Sequence, residues 1–123
     1  IRYDYCPPGS GDHYNLAGRA PMPPAVYPPS QEQAPGFWVH NLEHGYTVLL
    51  YRCPSGQLGQ PDCPTSEEMA QLQAFFDQAP PPAVSSCPKK VLVARFDQLT
   101  SIAGMAQPVL AMPVGLWCVS GLL

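Results

Sequence analysis

A chain of 123 residues is long enough for one domain with a real hydrophobic core, and its net charge of −3 with only six Lys and Arg offers no basic stripe for nucleic-acid phosphates. No apolar run approaches the roughly 18 residues of a membrane span. Five cysteines point to an oxidising compartment with disulfides, and 17 prolines point to long irregular connections.

The chain opens at Ile1 rather than Met, which reads as a mature or trimmed product whose targeting segment is gone. Residues 1–36 read as an arm. Pro and Gly recur every few residues in "CPPGSGDHYNLAGRAPMPPAVYPPSQEQAPG", so neither a helix nor a central strand can run through it. Tyr3, Tyr5, Tyr14, Val26 and Tyr27 give the arm apolar anchors, so it is expected to wrap the core in an ordered way.

"FWVH" and "YTVLLYRC" are rich in aromatic and β-branched residues and read as two strands joined by "NLEHG". The segment 65–80 reads as the one clear helix. Thr65 is its N-cap with Glu68 closing a capping box, Met69, Leu72, Phe75 and Phe76 share one face, and Pro80 ends it. "KKVLVARF" reads as a third strand. "PVLAMPVGLWCVSGLL" reads as one or two final strands interrupted by Pro113 and Gly115. The expectation is a single α+β domain over residues 1–123: a small, mainly antiparallel sheet, one packed helix and a long Pro-rich N-terminal arm.

Among the cysteines, Cys53 with Cys63 is the best local pair, because the turn-rich "PSGQLGQPD" between them closes easily. Cys87 with Cys118 is the second expected pair, leaving Cys6 odd. A thiolate metal site is less favoured, because no pair has C-x-x-C spacing.

The chemistry gathers on three histidines, His13, His40 and His44, all in Gly- or Pro-punctuated segments. If the arm folds back on the 40–45 loop, three imidazoles converge and can hold zinc or copper. Water, Glu43, a methionine or a substrate would complete the site. Glu43 is expected to fix an imidazole tautomer, with ligand or base as its other roles. Asp12 reads as a turn residue. Met22, Met69, Met105 and Met112 are potential thioether ligands whose ordinary role is packing, as it is for Trp38 and Trp117. The spacing His40-x-x-Glu43-His44 also matches an inverted zinc-peptidase motif. That motif needs a helix, and the strand-like flanks argue against one.

The stretches "PPGSGDH" and "VHNLEHGYTVLLY" together resemble the family known as domain of unknown function 3105. Its members carry a Pro-Pro-Thr-Ser-Gly-Pro-His stretch and then His-x-Leu-Glu-His-Gly leading into a strand. Gly9 and Asp12 stand where the family has Thr and Pro, and the C-terminal "MPVGLWCVSGLL" fits only loosely. The resemblance implies an extracytoplasmic bacterial protein (periplasmic, secreted or lipid-anchored) without an established activity. It puts His13, His40, Glu43 and His44 on the motif positions.

Three functions follow as expectations. The first is a domain binding one copper or zinc ion through the three histidines, not necessarily an enzyme. The second is a structural or interaction subunit of an envelope assembly, docking through the arm with the histidines as braces. The third is a zinc-dependent hydrolase with Glu43 as base.

Overall fold

The computed structural model describes residues 8–83 and 87–97, and residues 116–120 as backbone. In chain order its elements are helix α1 (Pro35–Glu43), strand β1 (Thr47–Tyr51), helix α2 (Ser66–Gln78), strand β2 (Val91–Arg95) and strand β3 (Leu116–Ser120). The fold is α+β.

β1 is the centre of the sheet, whose order is β2-β1-β3. It pairs parallel with β2, Leu49 opposite Val93, and antiparallel with β3, Leu49 opposite Cys118. The expected mainly antiparallel sheet is therefore corrected: the sheet is mixed, and its β1–β2 ladder is parallel. The cause is the connection. A strand, a helix of 13 residues and a second strand form a β-α-β crossover, which returns the chain in the same direction.

Alternation along β1 divides the interior in two. Val48 and Leu50 face α1 and join Trp38, Val39, Leu42, Leu92, Ala94 and Phe96 in one cluster. Leu49 and Tyr51 face the other way, with Cys53, Val93 and Leu72 of α2. The helices thus cover opposite faces of the sheet.

Helix α2 begins as its sequence dictates. The Thr65 hydroxyl accepts from the Glu68 amide at 3.1 Å, and Glu67 and Glu68 sit in the first turn. Of its expected apolar face, Leu72 is buried and Met69 packs against the second cluster, but Phe75 is 46% exposed. Phe75 lies three residues beyond Leu72, at the margin of the stripe that meets the sheet.

Helix α1 overturns the expected strand at "FWVH". Pro35 sits at its start, where the fixed φ suits the first turn and the missing N–H costs nothing. Gly45, at φ 80°, closes it. The Gly45 amide donates to the Leu42 carbonyl and the Tyr46 amide to the Asn41 carbonyl, at 3.0 and 3.1 Å, which is a Schellman termination. Residues 36 and 38–42 are all buried, so no polar face advertises a helical period.

Over residues 8–34 the chain is tied to the core by hydrogen bonds and ring contacts. Val93 donates to the Ala25 carbonyl and accepts from the Tyr27 amide, so residues 25–27 extend the sheet beyond β2. The Tyr51 hydroxyl donates to the Tyr27 carbonyl at 2.5 Å, and Arg95 Nη1 to the Pro29 carbonyl at 2.7 Å. Tyr14 packs its ring on Phe37. Tyr3, Tyr5, Cys6, Met105, Met112, Pro113 and Gly115 lie outside the described residues, as do the side chains of Trp117 and Cys118.

The disulfide Cys53–Cys63 is present. Cys87 is an exposed free thiol, so its expected bond to Cys118 is not made. No helix among the described residues is long and apolar enough to cross a membrane.

Candidate metal centre

Two elements build the site. Helix α1 carries His40 and Glu43 three residues apart, a spacing that puts their side chains on neighbouring positions of one face. The arm carries His13. Several contacts fix the arm over α1, among them the Tyr14 amide donating to the Gly36 carbonyl at 2.9 Å, the guanidinium of Arg19 over the Phe37 ring, and the grip of Asn41 on Met22. Asn41 is fully buried, and its amide group accepts from the Met22 N–H and donates to the Met22 carbonyl, both at 2.8 Å. A buried backbone segment in an irregular arm needs such partners.

The result brings His13 and His40 together, with ring centroids 4.6 Å apart. His13 Nε2 lies 3.1 Å from Glu43 Oε2. One donor atom from each of His13, His40 and Glu43 lies within 4.8 Å of the others.

Each imidazole is oriented from behind. His13 Nδ1 lies 2.9 Å from the Gly11 carbonyl, and His40 Nδ1 lies 2.7 Å from the Tyr14 carbonyl. A carbonyl only accepts, so both rings carry their proton on Nδ1. That leaves Nε2 of His40 with a lone pair to offer, the tautomer that metal-ligating histidines adopt when a carbonyl backs them, while between Nε2 of His13 and the facing Glu43 oxygen there is a place for a proton or a metal ion. His40 is 7% exposed, while the side chains of His13 and Glu43 are 23% and 63% exposed. The site therefore has a buried floor and an open rim.

His44 falls outside this set of three. Its ring stacks on His40 at 5.0 Å, and its carbonyl, at the end of α1, accepts from Lys90 Nζ at 2.7 Å. The cation suits the negative end of the helix. Of the methionines weighed as soft ligands, Met22 is buried in the first cluster and Met69 packs on the second.

A cavity of about 180 Å³ adjoins the site, lined by Gly9, Ser10, Gly11, His13, Val39, Leu42 and Glu43. Sequence reasoning passed over Asn41 and the Tyr14 carbonyl, which decide where the arm lies. A buried Asn between His40 and Leu42 left no distinct sign in the sequence. A backbone carbonyl leaves no sign at all.

No curated protein and no solved structure matches this chain. A family model does match, over residues 1–107, which takes in both histidine motifs, both helices and the parallel pair of strands. The chain belongs to the family described as Protein of unknown function (DUF3105).

Proposed function

We propose that this domain binds one transition-metal ion outside the cytoplasm, held by His13, His40 and Glu43, with His44 bracing the His40 ring. The observation that carries the reading is the convergence of those three donors within 4.8 Å, with both imidazoles backed by carbonyls at Nδ1. Two imidazoles and one carboxylate suit zinc better than copper, which a thioether would favour. The Cys53–Cys63 disulfide supports an oxidising compartment.

The test is elemental analysis of protein purified without a histidine tag, followed by zinc and copper titrations. The expected result is a stoichiometry near one, with affinity falling about 10–100-fold or more in His13→Ala, His40→Ala and Glu43→Gln. His44→Ala is expected to weaken binding less. Unchanged affinity in both His13→Ala and His40→Ala would overturn the reading.

A second reading, the zinc-dependent hydrolase, is favoured by one observation: His40 and Glu43 lie on a helix after all. There Glu43 would be the base rather than a ligand. The same Glu43→Gln variant separates the two, since a lost base abolishes turnover while metal affinity stays.

A further inference from the structure

We propose that the ion held by His13, His40 and Glu43 keeps a coordination position open to the neighbouring cavity. That position takes a small monoanionic oxygen-donor ligand of the carboxylate or hydroxamate class. The inference rests on the metal reading above and adds to it what the metal binds.

Three donors converge among the described residues, one short of the four that close a structural zinc site. Two of the donor residues, His13 and Glu43, also line the cavity, so an exogenous ligand has a direct route to the ion from that side. His44 does not line it, and its ring is committed to a stack on His40.

The size suits a small ligand. About 180 Å³ compares with the roughly 150 Å³ cavity that admits benzene, so the space has room for a ligand group of a few heavy atoms. Part of its lining is Gly9-Ser10-Gly11, two residues of which have no side chain to fill it. Gly11 sits at φ 125°, a conformation reserved for glycine, so the loop's course depends on that residue.

Charge sets the class. A divalent ion less one carboxylate leaves one net positive charge beside the apolar side chains of Val39 and Leu42. A monoanion neutralises that charge by direct coordination. Oxygen donors suit an ion already held partly by oxygen.

Cobalt(II) in place of zinc gives visible bands that report the coordination sphere, and acetohydroxamate is the probe. The expected result is a saturable band shift at one acetohydroxamate per cobalt, preserved in His44→Ala. Gly9→Leu, outside the left-handed region and outside the ligand set, is expected to retain cobalt while weakening the acetohydroxamate shift about tenfold or more. A cobalt spectrum that acetohydroxamate does not move overturns the inference and leaves the metal reading intact. So does a shift that emerges only in His44→Ala, which would make His44 the fourth ligand. A shift of undiminished strength in cobalt-loaded Gly9→Leu overturns the placement in this cavity. Failure of the unmodified protein to bind cobalt or zinc at all overturns both readings.

Discussion

Asn41 and His40, adjacent on α1, both hold the arm that carries His13. The Asn41 amide completes both backbone hydrogen bonds of Met22 inside the core, and His40 beside it anchors Tyr14. Asn41→Ala should leave two buried backbone groups unpaired and destabilise the fold by about 2–4 kcal/mol, measurable by urea unfolding. Metal affinity should fall as well, though no ligand is removed. Tyr51 makes a comparable anchor on the opposite face. Burial raises its pKa, Arg95 draws it down and Asp97 pushes it up, with the net direction upward. Burial also raises Tyr46, and burial together with neighbouring Tyr46 raises Tyr27. A folded-state pKa above the unfolded value means that stability is complete below about pH 10 and is lost as pH rises further. Tyr51→Phe should therefore cost about 1 kcal/mol near neutral pH and flatten the alkaline loss of stability.

At the scale of elements, α1 shows how a helix can hide. Trp38 and Val39 favour strands, and burial of nearly every position removes the polar stripe that would reveal a period of 3.6. The legible signals were at its ends, Pro35 at the start and Gly45 at the close. The disulfide acts on a neighbouring element. Cys53 follows β1, and its amide donates to Asp97 just beyond β2. The bond to Cys63, ten residues on, ties the start of the crossover to that point. Replacing both cysteines by serine should lower stability by about 3 kcal/mol, the scale of closing so short a loop in the unfolded chain. Denaturant unfolding of the double variant against the oxidised protein measures it.

For the whole molecule, the candidate site joins two parts distant in sequence, the arm and α1. An ion there would bind the folded chain and not the unfolded one. At a hundredfold excess over its dissociation constant it should stabilise by about 2.7 kcal/mol and raise Tm by about 10 °C. Chelation should reverse the shift. Since both imidazoles must be deprotonated at Nε2 to bind, the gain should shrink on acidification. A Tm that ignores zinc, copper and chelator alike would count against the site.

By itself the amino-acid sequence determined the strands at 47–51 and 91–95, the capped helix at 66–78, the Cys53–Cys63 bond and the Pro-rich arm. Those features depend on contacts a few residues apart: alternation, a capping box, a short loop. It also pointed to His13, His40 and Glu43 as candidates, through their motif positions. Only the tertiary structure decided that β1 and β2 run parallel, that "FWVH" coils, and that His44 stacks instead of joining the three. Each of those depends on partners far along the chain: β2 for the ladder, the sheet for α1, the Tyr14 carbonyl for His40. Residues distant in sequence supply the deciding free energy there, and local pattern carries no record of them.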